Sequence, residues 1–119
     1  MIHLLDKYFK HDDTIEDIVL SFNSKKIGFL ISNYIENIED YKYTEIEFHE
    51  VRCLYFNHMF FIDDSANLEL DILTFDKKEI ANDLYEFSLI LDPGFGAQDV
   101  MISFVCNINN IQVKNLGCR

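Results

Sequence analysis

The sequence has few of the residues that divide a chain into separate units. Among its 119 residues there are 1 proline and 4 glycines, and tryptophan is absent. A Pro/Gly-rich linker is therefore excluded, and no repeat or low-complexity segment divides the chain. We predict one domain over residues 1–119, a length sufficient to bury a hydrophobic core.

Cysteine is also scarce, with Cys53, Cys106 and Cys118 as the 3 examples. Their odd number and wide spacing argue against a disulfide scaffold and favour reduced thiols. Cys53 and Cys106 lie in apolar runs, so we predict that both pack in the core. No basic cluster lies beside any cysteine to lower its pKa, which disfavours a thiol nucleophile.

Long apolar runs are missing. No stretch approaches the roughly 20 residues of a membrane span. The first ten residues, Met1–Lys10, are too charged and too short for the apolar part of a signal peptide. We expect a soluble cytoplasmic protein that does not bind membranes.

Basic residues are outnumbered by acidic ones. There are 10 Lys and Arg against 21 Asp and Glu, a formal net charge of −11. Such a charge repels nucleic acid and speeds encounter with basic partners. Two interpretations stay open: an ordinary soluble acidic protein, or a protein with a specific acidic binding face.

What the sequence does contain is period-two alternation. In Tyr43–Val51, the apolar Ile46 and Phe48 alternate with Glu45, Glu47 and His49. Side chains of a strand point to opposite faces, so this stretch predicts a half-buried strand, which could extend to Tyr55. Strands are also predicted at Thr14–Asn23, Ile27–Tyr34, Leu68–Phe75, Tyr85–Leu91, Val100–Cys106 and Ile111–Leu116.

The connections complete a fold prediction. Residues 2–10 have apolar side chains at helical spacing, which predicts a short helix, with a first strand as the alternative. Turns are predicted at Asn23–Lys26 and Asp92–Gly96, and a turn or short helix at Asp76–Asn82. The fold class is therefore mainly β: an antiparallel sheet folded as a β-sandwich or strongly curved sheet, with a short N-terminal helix.

No catalytic signature is present. The most site-like cluster is His11-Asp12-Asp13, which could bind a metal or supply a base. Adjacent residues rarely converge on one metal and no second histidine follows at ligand spacing, so a hydrogen-bonded turn is favoured. We expect no enzymatic activity, no cofactor and no metal.

The remaining constellation is a set of carboxylates. Glu45 and Glu47 lie on one predicted strand, and Glu69 and Asp71 lie on another. If these two strands are near neighbours, four carboxylates share one surface. Like charges opposite each other destabilise a sheet, and a cationic partner would compensate. The alternative is an ordinary solvated face. The candidate partner-binding residues are Glu45, Glu47, Glu69, Asp71, Asp12, Asp13, Glu36, Glu39 and Asp40.

The order of these features resembles a known class of proteins. The run His11-Asp12-Asp13-Thr14-Ile15-Glu16-Asp17-Ile18, a hairpin, and then Ile46-Glu47-Phe48-His49-Glu50-Val51 are similar to the opening of small β-rich immunity proteins. These bacterial proteins neutralise polymorphic toxins, and the contact-dependent growth-inhibition type is the nearest. The resemblance covers the first half of the chain. It implies binding to a cognate toxin, and it carries over no catalytic residues.

Under this hypothesis the partner is a basic, nuclease-type toxin domain, held through an acidic surface by a monomer or weak homodimer. The first alternative is a small-ligand-binding β-domain, for which an enclosed pocket with converging polar groups would be required. The second is a structural or assembly subunit that pairs through an exposed edge strand.

Overall fold

The computed structural model describes residues 2–57, 70–94 and 98–118. In these ranges the chain forms one short helix and one eight-stranded antiparallel sheet, which confirms the predicted fold class. The elements are α1 (Ile2–Tyr8), β1 (Thr14–Ser21), β2 (Lys26–Ile35), β3 (Asp40–Phe48), β4 (Arg52–Phe56), β5 (Leu70–Ala81), β6 (Leu84–Asp92), β7 (Val100–Asn107) and β8 (Ile111–Cys118). Short 3-10 turns occupy Glu36–Ile38 and Ile108–Asn110.

The strand order divides the sheet into two halves. It runs β4-β7-β6-β5-β1-β2-β3-β8, with β4 and β8 at the two edges. At the centre, β1 and β5 pair at two positions, where Thr14 faces Asp71 and Ile15 faces Leu70. This narrow junction joins a first half, β4-β7-β6-β5, to a second half, β1-β2-β3-β8.

The two halves face each other across a phenylalanine core. The Phe48 ring of β3 lies 4.8 Å from Phe104 of β7 and 5.2 Å from Phe87 of β6, centroid to centroid. Phe29 of β2 lies 6.3 Å from Phe104. All four side chains are fully buried, and burial of each contributes about 1.5–3 kcal/mol. The sheet is therefore strongly curved around a filled interior.

Helix α1 and the residue after it pack against β2 and β5, the strands on either side of β1. Leu5 is fully buried, and Phe9, just beyond the helix, stacks on Phe75 of β5 at 4.4 Å. Asn33 of β2 donates a hydrogen bond from Nδ2 to the Tyr8 carbonyl oxygen over 2.8 Å. The helical alternative for residues 2–10 is thereby confirmed over the strand alternative.

The predicted extension of the Tyr43–Val51 strand to Tyr55 is wrong. Strand β3 ends at Phe48, because Glu50 has a positive φ of 54° and the Val51 N–H donates to the Lys25 carbonyl oxygen. The chain then crosses to the opposite edge, where β4 pairs with β7.

Two further predictions are wrong. Asp76–Asn82 was predicted as a turn or short helix, but residues as far as Ala81 belong to β5, which pairs along its length with β6. Polar side chains on both faces of this exposed hairpin hide the alternation. Cys53 was predicted in the core but is exposed on edge strand β4, whereas Cys106 is buried.

The turn predicted at Asp92–Gly96 is described as far as Gly94. Gly94 has a φ of +81°, and its N–H donates to the Asp92 carboxylate over 2.8 Å. The predictions for residues 58–69, including Glu69 and the start of the Leu68–Phe75 strand, lie outside the described residues.

Candidate functional site

The surface of interest is the outer face of the second half of the sheet. Its side chains point away from the phenylalanine core because they alternate with buried residues such as Phe29, Ile46 and Phe48. The register places outer residues in pairs across β2 and β3: Tyr34 with Tyr41, Ser32 with Tyr43, Leu30 with Glu45, and Gly28 with Glu47.

The strand that carries Glu45 and Glu47 and the strand that carries Asp71 are not neighbours, so the condition for a shared four-carboxylate surface is not met. Strands β1 and β2 lie between β5, which carries Asp71, and β3, which carries Glu45 and Glu47. Three strand spacings amount to about 14 Å. Asp71 instead accepts a hydrogen bond from the Thr14 hydroxyl over 3.1 Å, at the junction of the halves.

Glu47 is already neutralised within the fold. Its Oε2 lies 3.1 Å from Lys26 Nζ, and its Oε1 lies 3.4 Å from His49 Nε2. The hydrogen bond from Lys26, with smaller contributions from the charge of Lys26 and from His49, lowers the pKa of Glu47, although burial opposes the shift. Because Lys26 compensates the charge of Glu47, this carboxylate contributes little to the attraction of a partner.

Glu45 has a different surrounding. It faces Leu30 on β2 and Lys114 on β8 in the strand register. Its side chain is half-buried, and no described ion pair within 4 Å includes it. Glu45 therefore remains available at the surface, beside a residue of opposite charge.

A β-bulge brings two further carboxylates to this face. The register of β1 shifts between Ile15 and Asp17, which leaves Glu16 unpaired. The Glu16 carboxylate accepts a hydrogen bond from the Ser32 hydroxyl over 2.9 Å, and Asp17 is exposed opposite Leu30. Regular period-two alternation would place the adjacent residues Glu16 and Asp17 on opposite faces of β1. Only the bulge, which has no sequence signature here, places both outside.

The connection between β2 and β3 extends the acidic surface. Glu36, Glu39 and Asp40 lie within or beside its 3-10 turn, and Glu36 and Glu39 are exposed. Asp13 lies beside this region but on the side of the core: its Oδ2 accepts from Asn33 Nδ2 over 2.7 Å, and buried Asn33 also donates to the Tyr8 carbonyl oxygen. We call the following set the acidic face: Glu16, Asp17, Glu36, Glu39, Asp40 and Glu45.

Exposed tyrosines lie within the acidic face. Tyr34 and Tyr41 are 46% and 47% exposed, and their rings meet edge to face at 5.3 Å. Tyr43 follows on the same face of β3. These tyrosines were not among the partner-binding residues predicted from the sequence. Tyr34 precedes the acidic connection and Tyr41 and Tyr43 follow it, a pattern that could have indicated them.

The cluster His11-Asp12-Asp13 forms a loop against β5. His11 Nδ1 lies 2.9 Å from the Leu73 carbonyl oxygen, and its Nε2 lies 3.3 Å from the Asp12 carboxylate. The Asp12 N–H donates to the Ile72 carbonyl oxygen. Among the described residues, no group of three His, Cys, Asp or Glu side chains could hold a metal ion.

A shallow groove of about 180 Å³ lies at the β1–β2 turn. Its lining is mostly apolar, from Leu20, Phe22, Ile27, Val51 and Leu54, with Lys25 and Lys26 at the side. It opens to the surface at Phe22, which is 79% exposed. The space between the two halves is filled by aromatic side chains instead.

Comparison with protein-family models, curated proteins and solved structures found no match for this chain. Within the described residues, no helix has the length and apolar character needed to cross a membrane.

Proposed function

We propose that this chain is an immunity protein that binds and neutralises a cognate, basic bacterial toxin through the acidic face. The observation that carries the proposal is the concentration of carboxylates on one outer face and its adjoining loop. Of the acidic-face residues, none forms a described ion pair within 4 Å.

The physical chemistry of such a surface fits a basic protein partner. Nucleases have basic clefts that hold phosphate groups, and carboxylates on a rigid sheet can take the place of those phosphates. Complementary fields raise the association rate, and a few desolvated contacts determine the affinity. Tyrosine is enriched at such contacts because it combines a large apolar ring with a polar hydroxyl.

The filled interior supports this proposal over the small-ligand alternative. Phe29, Phe48, Phe87 and Phe104 occupy the space between the halves of the sheet. An enclosed ligand site needs room and converging polar groups. The described groove lies outside this core and is lined mostly by apolar side chains.

The direct experiment is co-expression with the toxin domain encoded beside this chain's gene. We expect the wild-type chain to restore growth and to form a one-to-one complex with the toxin domain. A triple variant, Asp17→Asn with Glu36→Gln and Glu39→Gln, removes three exposed charges from the acidic face. Protection by this variant should fall by about tenfold or more in the toxin dose tolerated.

A control variant separates the acidic face from net charge. Asp76→Asn with Glu79→Gln and Glu86→Gln removes the same three charges from exposed positions on β5 and β6. It should protect as the wild type does. Failure of the wild-type chain to protect against any neighbouring toxin would refute the proposed function, and equal loss in both triple variants would refute the role of the acidic face.

One observation favours the assembly alternative. Strand β8 pairs with β3 and has no second partner in the described part of the chain, so its outer edge could accept a strand from another copy. Light scattering at several protein concentrations tests this alternative. An average mass that stays at 14.1 kDa would exclude it.

A further inference from the structure

The pair Tyr34 and Tyr41 is the most exposed aromatic cluster on the acidic face. The two residues lie directly opposite each other on β2 and β3, next to the connection that joins these strands. Their edge-to-face contact at 5.3 Å leaves about half of each side chain open to water. The two rings pack against each other, and the open part of each faces solvent.

Carboxylates contact the backbone of this tyrosine pair and occur in the connection beside it. Asp40 follows the connection, and its Oδ1 accepts a hydrogen bond from the Tyr41 N–H over 2.7 Å. Asp13 Oδ1 lies 3.5 Å from the Tyr34 nitrogen. Glu36 and Glu39 lie in the connection itself. Carboxylates thus lie next to the residues that carry the two electron-rich rings.

In the described part of the chain, no ion pair within 4 Å and no cation–π contact involves the two tyrosines or the carboxylates beside them. The described ion pairs with lysine lie elsewhere, between Lys26 and Glu47 and between Lys77 and Asp6. The one described cation–π contact is that of Lys77 with Phe75. The described contacts therefore leave the exposed faces of both rings open to a cation from a partner.

We propose that the Tyr34–Tyr41 pair is the anchor point for an arginine side chain of the basic partner. This inference rests on the proposed function and names the chemistry of its central contact. A guanidinium group is planar, so it can stack on a tyrosine ring while its edge donates to carboxylates. A lysine ammonium can approach the same ring but cannot satisfy both geometries with one rigid group.

The contact predicts a specific order among variants. Tyr34→Phe and Tyr41→Phe keep the aromatic ring, so they should retain most of the affinity for the toxin domain. Tyr34→Leu and Tyr41→Leu keep apolar bulk but remove the ring's electron density, and each should raise the Kd by about tenfold. Tyr55→Leu is the matched control, because Tyr55 is 55% exposed on edge strand β4 of the other half.

The partner's side is tested by exchange of cations. Each arginine in the toxin's basic cleft is replaced by lysine, and the Kd of each complex is measured by calorimetry. One Arg→Lys exchange should weaken binding to the wild-type chain by about fivefold or more. The same exchange should have no further effect on binding to the Tyr41→Leu chain, because the contact is already lost.

A peptide experiment tests the same surface without the toxin. Blocked tetra-arginine and tetra-lysine peptides carry equal charge, and their binding is followed by NMR on the isotope-labelled chain. The arginine peptide should shift the ring signals of Tyr34 and Tyr41 and bind more tightly than the lysine peptide. Tyr41→Leu should remove the preference, while Tyr41→Phe should retain it.

The outcomes separate this inference from the proposed function. If the complex forms and the leucine variants weaken it no more than Tyr55→Leu does, the anchor is refuted while the immunity role stands. If no neighbouring toxin binds, the immunity role fails, and the peptide preference decides whether the arginine site exists. Equal binding of both peptides, or signal shifts centred on β5 and β6, would overturn the site itself.

Discussion

Single residues on the second half of the sheet differ in how well their polar groups are satisfied. Thr44 of β3 is fully buried, and its hydroxyl has no hydrogen-bond partner among the residues that the structure describes. Glu47, on the opposite face of the same strand, has two partners of opposite or potential positive charge. A sequence pattern showed which residues point inward, but it could not show which polar groups find partners, because those partners come from other strands.

The Thr44 hydroxyl should destabilise the fold. An unpaired buried hydroxyl loses its contacts with water and gains nothing in exchange. Thr44→Val keeps the side-chain shape and should raise the free energy of unfolding by about 1 kcal/mol. Urea denaturation measures this change. Thr14→Val is the control: it removes the hydrogen bond to Asp71 and should lower stability instead. A loss for Thr44→Val as large as that control would contradict the structure.

The Lys26–Glu47 pair predicts a pH dependence. The pKa of Glu47 is lowered in the fold from an ordinary value of 4.5, chiefly by the hydrogen bond from Lys26. Its contribution to stability is therefore present above pH 4.5 and is lost as the pH falls through the lower folded pKa. Glu47→Gln should cost about 0.5 kcal/mol at neutral pH.

This difference between wild type and Glu47→Gln should shrink as the pH is lowered below 4.5. Denaturation curves across the acid range provide the measurement, with Glu86→Gln as an exposed control. A destabilisation by Glu47→Gln that stays constant down to strongly acid pH would contradict the ion pair.

The cysteines should differ in reactivity. Cys53 and Cys118 are exposed, whereas Cys106 is buried, and burial raises the pKa of its thiol to about 11. Titration of the native protein with a thiol reagent at neutral pH should therefore label two thiols quickly. The third should react only after unfolding. Rapid labelling of Cys106 in the native protein would show that the core opens easily.

At the scale of elements, most strands follow from period-two alternation. Tyr85, Phe87, Leu89 and Leu91 predicted β6 because Phe87, Leu89 and Leu91 are buried and Tyr85 packs against the core. The same rule identified β1, but it assigned some side chains to the wrong face because the bulge between Ile15 and Asp17 shifts the alternation. It failed in the second part of β5, where neither face is buried. Alternation thus identifies a strand only where one face meets a core.

The β1–β2 turn offers a test at this scale. Lys25 adopts a positive φ of 50° in this turn. Such a backbone costs a residue with a Cβ atom about 1 kcal/mol or more. Lys25→Gly should remove that cost and raise the free energy of unfolding by about 0.5 kcal/mol, once the greater freedom of glycine in the unfolded chain is included.

Lys25→Ala is the matched control for this prediction. It removes the lysine side chain but keeps the Cβ atom, so it should give no gain. Thermal and urea denaturation of both variants provide the comparison. Equal stability of the glycine and alanine variants would contradict a strained turn.

For the whole molecule, the strand order decides which charges share a surface. Alternation gives the face of a strand but not its neighbours, so it could not decide whether the strand of Glu45 and Glu47 lies beside the strand of Glu69 and Asp71. In the folded chain, Asp71 lies at the junction of the halves and Glu47 is paired with Lys26. The bulge and the β2–β3 connection supply the remaining carboxylates. The composition predicted an acidic protein, but the sequence did not show which carboxylates would share one face.

The central claim is that the acidic face attracts a basic toxin. The most direct test is the association rate constant for the neighbouring gene's toxin domain, measured by stopped flow from about 50 mM to about 300 mM salt. We predict that the rate falls by about tenfold or more over this range. The triple variant Asp17→Asn, Glu36→Gln and Glu39→Gln should bind more slowly at low salt and show a shallower salt dependence. The β5–β6 control variant should match the wild type. A salt-independent rate, or identical behaviour of the two triple variants, would contradict the account.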